Sequence, residues 1–256
     1  MSPKPTFLLI HGAWHTPHCW TRLTPLLTAA GHQVLAPQMP TSGSVPPVRT
    51  WDADITTICD AVRSLAQQGR DIVVVLHSNA GITGSTALHG FDKASCAAQG
   101  WSGGVVRIVY VAAFMVPEGF RHSTPGTREN VVSEMQVDME GFVMTVAPEH
   151  VKGLMYQDLS DEEVGEVVPT LVPQSLASLY GTTEFAAWRS IPTTYVVTLG
   201  DAPSTLVAMR HLIKAAKESE PNMVDTVIEE EVGHAPFWSK PEWCARMLIE
   251  QAERKD

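Results

Sequence analysis

The sequence predicts an α/β fold in which a mostly parallel central sheet is flanked by helices and interrupted by an inserted helical cap. Short apolar runs alternate with segments of helical periodicity along most of the chain. The run 72–76 is apolar on both faces, as in a central strand of a parallel sheet that helices cover. The alternation stops over 117–189, so we expect a core of residues 1–116 and 190–256 and a cap of residues 117–189. A chain of 256 residues fits one such domain.

Each element is predicted from its own local pattern. Gly31 closes the first helical segment, and a proline-rich loop over 37–47 separates the second strand from the second helix. Apolar residues recur at helical spacing over 51–65, and Gly69 ends that helix just before the central strand. The predicted order is strand 7–11, helix 17–30, strand 33–36, helix 51–65, strand 72–76, helix 80–88, strand 106–111, mixed helices in the cap, strand 194–197, helix 204–217, strand 226–230 and helix 241–253.

Composition and charge exclude several classes of partner. The formal net charge is -10, and the basic residues are scattered, which argues against nucleic acid and against an anionic membrane surface. No segment has the roughly 20 apolar residues that cross a bilayer, and the first apolar run is too short for a signal peptide. The four cysteines are widely spaced and form no C-x-x-C pair, which indicates free thiols in a reducing compartment. We therefore expect a cytoplasmic protein with no membrane partner.

The segment Leu76–Gly81 places a serine where the central strand turns sharply into a helix. Such a nucleophile elbow exposes the hydroxyl of Ser78 and directs the next backbone amide, that of Asn79, at a developing oxyanion. The usual pattern is Gly-x-Ser-x-Gly, whereas Leu76 and Ala80 occupy the two glycine positions here. Taken alone, a serine between a strand and a helix is more often a helix N-cap than a nucleophile, so the nucleophile hypothesis needs support elsewhere in the chain.

That support comes from a histidine and an aspartate that follow later strands. His234 lies after the last predicted strand, and Asp201 lies after the preceding one, beside Gly200. In α/β folds with a serine nucleophile, the chain order is serine, acid, histidine, and the three side chains converge at one edge of the sheet. We therefore predict Ser78 as nucleophile, His234 as base and Asp201 as the group that orients the base. Glu118 is the reserve candidate for the acid.

The second oxyanion donor is predicted in the loop after the first strand, at the backbone amide of Ala13. The same region holds three histidines, His11, His15 and His18, but a metal site needs ligands that converge from rigid elements. We expect wall or structural roles for them and no metal ion. His77 is expected to point away from the pocket and to serve packing and hydrogen bonding.

Several segments together resemble the plant methylesterase and hydroxynitrile lyase group of the α/β-hydrolase superfamily, and related bacterial and fungal esterases. The likeness covers most of the chain and is most specific around the predicted catalytic residues. It implies an α/β-hydrolase fold with a cap over the serine. The segments are His11–Trp14, His77–Ser78, Leu171–Ser175, Tyr195–Asp201 and Gly233–His234.

The departures from this group bear on the reaction. Lyases of the rubber-tree type place threonine in the oxyanion loop and lysine after the histidine, whereas Gly12 and Ala235 stand at those positions here. Without the lysine cation to stabilise departing cyanide, ester hydrolysis is favoured over cyanohydrin cleavage. Epoxide hydrolases and dehalogenases that resemble this fold use a carboxylate nucleophile, and Ser78 argues against both.

The cap composition indicates the kind of substrate. Five of the ten methionines lie in or beside the cap with several aromatic residues. Methionine packs around irregular shapes, so this composition favours an apolar or aromatic substrate, although ordinary core packing explains it equally well. The predicted pocket residues are Trp14, His15, Phe114, Met115, Met144 and Met155.

These observations lead to one main function and two alternatives. We expect a serine hydrolase, a carboxylesterase or lactonase, that cleaves an apolar or aromatic small molecule through an acyl-enzyme, with no cofactor. The expected partner is the small-molecule substrate. The sequence leaves open whether the chain forms a homodimer. Carbon–carbon bond hydrolysis or lyase chemistry on the same three residues is one alternative, and a slow-turnover small-molecule receptor is the other.

Overall fold

A computed structural model describes residues 3–201 and 203–254, and for residues 203–205 it describes the backbone alone. The strands are β1 (Thr6–Ile10), β2 (Val34–Leu35), β3 (Asp71–His77), β4 (Gly104–Val111), β5 (Met135–Asp138), β6 (Val143–Val146), β7 (Gln174–Ser175), β8 (Thr193–Thr198) and β9 (Val224–Glu230). The α-helices are α1 (Thr24–Ala29), α2 (Asp52–Gln67), α3 (Ala80–Ala87), α4 (Lys93–Ala98), α5 (Pro148–Met155), α6 (Asp161–Val167), α7 (Ala177–Tyr180), α8 (Pro203–Lys217), α9 (Pro236–Ser239) and α10 (Pro241–Glu253).

A six-stranded parallel sheet in the order β2-β1-β3-β4-β8-β9 forms the centre of the fold. Strand β3 pairs with β1 on one side and β4 on the other, and its residues 72–77 are all buried. Side chains alternate between the two faces of a strand, so Val73 and Val75 enter one apolar cluster while Val74 and Leu76 enter the other. Helices cover both clusters, which confirms the predicted α/β fold class.

The first predicted helix is divided in two. A 3-10 helix over Pro17–Trp20 precedes α1, and Pro25 stands within the first turn of α1. Proline has no N–H to donate to the preceding turn, so a helix cannot run through it unbroken. The stretch 90–104 also contains a helix that was not predicted, α4, which begins where an Asp92 side-chain oxygen accepts the N–H of Ser95 at 2.9 Å.

The segment predicted to be the cap, residues 117–189, contains a small antiparallel sheet, β5-β6-β7, in addition to its helices. The sequence predicted helices alone. Strand β7 has two residues and pairs with β6, about 30 positions earlier, so no local pattern identifies it. Met144, Met155 and Tyr156 of this segment are buried in the same cluster as Phe7 of β1. The cap segment is therefore packed directly on the core.

The helices of the described residues include none whose length and apolar character would let it cross a membrane. The cysteines, Cys19, Cys59, Cys96 and Cys244, are free thiols, and three of them are buried.

Candidate active site

Ser78 occupies a strained turn between β3 and α3. Its φ angle is 55°, in the left-handed region that costs a non-glycine residue about 1–2 kcal/mol. Three backbone hydrogen bonds hold this conformation. The Ser78 N–H donates to Val111 O at 3.1 Å, and Ser78 O accepts from the amides of Gly81 at 3.1 Å and Phe114 at 3.2 Å. Such strain is concentrated at functional sites, and Ser78 itself is only partly buried.

The small residues expected at the elbow are present at shifted positions. A Cβ atom on Gly81 would lie 2.4 Å from the carbonyl oxygen of Phe114, so the turn needs glycine one position later than in the usual motif. A Cβ atom on Gly84 would lie 2.4 Å from a methyl carbon of Leu76. The glycine missing from the strand is thus replaced by one in the facing helix, which makes room for the leucine side chain.

Three side chains from separate loops meet at the carboxyl edge of the sheet. His234 Nε2 lies 2.9 Å from Ser78 Oγ, and His234 Nδ1 lies 2.7 Å from Asp201 Oδ2. The Asp201 side chain is 1 % exposed, and the same carboxylate oxygen accepts the hydroxyl of Thr198 at 2.9 Å. A carboxylate beside Nδ1 fixes the proton there, which leaves Nε2 free to accept the serine proton. The structure therefore brings together the three residues predicted to be catalytic.

The reserve acid lies elsewhere. One carboxylate oxygen of Glu118 accepts the amide of Ala186 at 3.1 Å, and the other accepts Nε of Arg189 at 3.1 Å. Its partners are thus the residues of the segment that leads into β8, and Asp201 is the acid beside the base.

The loop after β1 approaches the serine from the other side. Ala13 and Asn79 both line a small cavity of about 10 Å³, and within the described residues neither backbone amide has a protein acceptor. His11 supports this loop, because its Nε2 accepts the Met39 amide at 3.1 Å and its Nδ1–H donates to Gly12 O at 3.0 Å. Burial lowers the pKa of His11 to about 4, so the ring stays neutral at pH 7.

Gly12 is expected to tolerate no side chain. A Cβ atom at this position would lie 2.9 Å from Ser78 Cβ and would displace the loop that carries the Ala13 amide. We expect Gly12→Ala to lower kcat for ester substrates about 100-fold, as loss of an oxyanion donor does, and to destabilise the fold by about 1–3 kcal/mol. Steady-state kinetics and thermal unfolding measure both effects. The control is Gly165→Ala, whose Cβ would have no neighbour within 4 Å among the described atoms; a fully active Gly12→Ala would contradict the tight approach.

Sequence reasoning missed a cap residue that holds the same loop. Gln174, which is 1 % exposed, accepts the Trp14 amide at 3.1 Å and the Ser42 hydroxyl at 2.6 Å through one side-chain oxygen. The Trp14 carbonyl accepts the amide of Val172 at 2.9 Å, and Trp14 itself has φ 63°. The partners of Gln174 are more than 100 positions away, so no local pattern identifies it.

The predicted pocket residues do not form one group. Trp14, Met144 and Met155 share a cluster, whereas Met115 is 1 % exposed in the cluster on the opposite face of the sheet. Phe114 is partly buried against the rings of Phe120 and His122. Trp14 lines an apolar cavity of about 150 Å³ with cap residues, which are Thr145, Val146, Pro148, Val151, Val168, Leu171, Val172 and Pro173.

The buried histidines have structural partners. His15 Nδ1–H donates to Ala13 O at 2.7 Å, and its Nε2 accepts the hydroxyl of Tyr156 at 2.6 Å. Burial lowers the pKa of His15 to about 3 and that of His77 well below its ordinary value. His77 Nε2–H donates to His234 O at 3.1 Å. In the part of the chain that the structure describes, no three His, Cys, Asp or Glu residues form a group that could hold a metal ion.

Several known proteins resemble this chain along most of its length. A family model described as the alpha/beta hydrolase family matches residues 7–247. The chain is 26% identical to the alpha/beta hydrolase nvfD of Aspergillus novofumigatus, over 96% of this chain and 95% of that protein. It is 27% identical to Methylesterase 7 of Arabidopsis thaliana, over 97% and 96%. The crystal structure of a pyrethroid hydrolase from Sphingobium faniae has a TM-score of 0.73 at 22% identity, and 97% of each chain is covered.

Proposed function

The chain belongs to the alpha/beta hydrolase family, and from that premise we propose that it is a serine hydrolase that cleaves a carboxylic ester or lactone of an apolar small molecule. The observation that carries this proposal is the continuous contact from Ser78 Oγ through the His234 ring to the Asp201 carboxylate. A serine is a weak nucleophile until a base removes its proton, and this arrangement supplies the base and the group that orients it.

The proposed reaction has two halves. Ser78 Oγ attacks the carbonyl carbon of the ester while its proton passes to His234 Nε2, and Asp201 stabilises the imidazolium ion. The amides of Ala13 and Asn79 stabilise the oxyanion. The carbon–oxygen bond to the alcohol then breaks, and His234 returns the proton to the leaving oxygen. In the second half, His234 deprotonates a water molecule that attacks the acyl-enzyme, and the acid is released as Ser78 recovers its proton.

Two observations support an ester with an apolar group. The cavity of about 150 Å³ beside Trp14 is lined mainly by aliphatic and proline side chains, which suits an apolar group. Ala235, which is buried, follows His234, so this position supplies no cation for a departing cyanide. The relatives that are named as esterases, such as Methylesterase 7, also favour ester hydrolysis.

We also propose a cytoplasmic location. The support is the state of the cysteines, which are all free thiols, three of them buried. Free thiols are typical of proteins that work in reducing compartments.

The test is hydrolysis of p-nitrophenyl esters of increasing acyl length, together with labelling by a fluorophosphonate probe. We expect multiple turnover, and a single added mass that peptide mapping assigns to Ser78. The comparison variants are Ser78→Ala and Ser64→Ala, the latter an exposed serine on α2 that should retain both activities. Labelling followed by no turnover would favour a receptor or a lyase, and absence of both labelling and turnover would refute the proposal.

A further inference from the structure

Consecutive cap residues between α5 and α6 contact the loop that carries His234. The Gly233 amide donates to Asp158 Oδ2 at 2.7 Å, and the His234 amide donates to Gln157 Oε1 at 3.0 Å. The preceding residue, Tyr156, is fully buried and donates to His15. Two adjacent side chains of the cap therefore bind two adjacent amides of the histidine loop.

The glycine in this loop permits so close an approach. A Cβ atom at Gly233 would lie 2.4 Å from Asp158 Oδ1 and 2.9 Å from Gln157 Oε1. A larger residue here would force these two side chains to shift and would disturb their hydrogen bonds to the loop.

The backbone of His234 is held from two directions. Its carbonyl oxygen accepts Nε2–H of His77, which belongs to the core strand β3. Its amide is held by Gln157, which belongs to the cap. The ring between these anchors is oriented by Asp201. A displaced cap would release the amide and so remove one of the contacts that fix the ring relative to Ser78.

We propose that Gln157 and Asp158 are positioning residues for His234, so that the base is aligned with Ser78 only while the cap is seated on the core. This inference rests on the proposed function. Both side chains bind backbone amides of the histidine loop, so their proposed effect on the reaction passes through that loop. A displacement of about 1 Å in a reacting group can cost about 100-fold in rate, which sets the expected scale.

The test combines kinetics with the rate of serine labelling. The double variant Gln157→Ala/Asp158→Ala is expected to lower kcat for p-nitrophenyl esters about 10- to 100-fold, with KM changed less than about twofold. The rate of fluorophosphonate labelling of Ser78 should fall in the same proportion, because labelling also depends on His234. Asp158→Asn keeps an oxygen that can accept the Gly233 amide, so we expect it to retain kcat within about threefold. Assays run well below the unfolding midpoint of each variant separate misalignment from loss of fold.

The matched control is Asp161→Ala, which removes a nearby cap carboxylate whose side chain is 92% exposed and pairs with Lys152. It should leave kcat and labelling unchanged.

Wild-type kcat in the double variant, with wild-type labelling, would overturn the inference and leave the proposed function intact. If the double variant does not fold, the single variants Gln157→Ala and Asp158→Ala take its place in the same assays. The same criteria then apply to them. If wild-type protein shows labelling without ester turnover, the labelling rates alone decide. If Ser78 is not labelled in the wild type, the proposed function fails and the inference fails with it.

Discussion

Replacing Ser78 by alanine is expected to lower kcat for ester hydrolysis by about a millionfold and to leave the fold intact. The hydroxyl is the proposed nucleophile, and its removal leaves His234 with no proton to accept. The three backbone hydrogen bonds that hold the turn use main-chain atoms, so alanine should retain them. Steady-state kinetics give kcat, and far-ultraviolet circular dichroism with thermal unfolding reports the fold.

The control for this experiment is Ser64→Ala, which should behave as wild type in both measurements. Turnover by Ser78→Ala within tenfold of wild type would contradict a serine mechanism. It would also leave the left-handed conformation of Ser78 without a functional explanation.

Asp201→Asn is expected to lower kcat about 10,000-fold with little change in the position of His234. The ionised carboxylate accepts the Nδ1 proton and stabilises the imidazolium ion that forms during the reaction. An asparagine amide can donate to Nδ1 instead, which favours the tautomer with the proton on Nε2, where it cannot accept from Ser78. Kinetics across pH, with the unfolding midpoint measured in parallel, test this assignment.

Glu118→Gln is the matched control, because it neutralises the other candidate acid. Glu118 contacts Arg189 and Ala186, so we expect this variant to retain kcat within a few-fold. An inactive Glu118→Gln beside an active Asp201→Asn would reverse the two assignments.

The sequence predicted the central sheet well because its signals are local. Apolar runs and glycine-terminated helical segments lie within about ten residues of one another, and strand β3 is apolar along most of its length. The predicted catalytic residues follow from the same information. Side chains that come directly after parallel strands share one edge of the sheet. The sequence therefore predicts that Ser78, Asp201 and His234 lie close together.

The cap could not be predicted in the same way. Its sheet joins strands of two to four residues, and the partners of Gln157, Asp158 and Gln174 lie far away in sequence. Nothing in the sequence around these residues distinguishes a side chain that binds the core from one that faces solvent. For the same reason, methionine content indicated an apolar cap but could not separate Met115 from Met144, which pack on opposite faces of the sheet.

The elbow shows how far a motif can vary when its geometry is kept. Leu76 stands where a glycine is usual, and the facing Gly84 supplies the space that the leucine occupies. A search for the motif alone would reject this sequence. A search for a serine in a tight strand-to-helix turn, with small residues anywhere on the opposing surfaces, would accept it.

The hydrogen bonds of Gln174 have a consequence for protein engineering. One way to seek a new specificity is to exchange the cap between relatives as a module. In this protein, a chimera that received a foreign cap without this glutamine would gain new substrate contacts. It would lose the acceptor for the Trp14 amide. A successful exchange must therefore transplant this glutamine with the cap, or redesign the Trp14 turn in the recipient core.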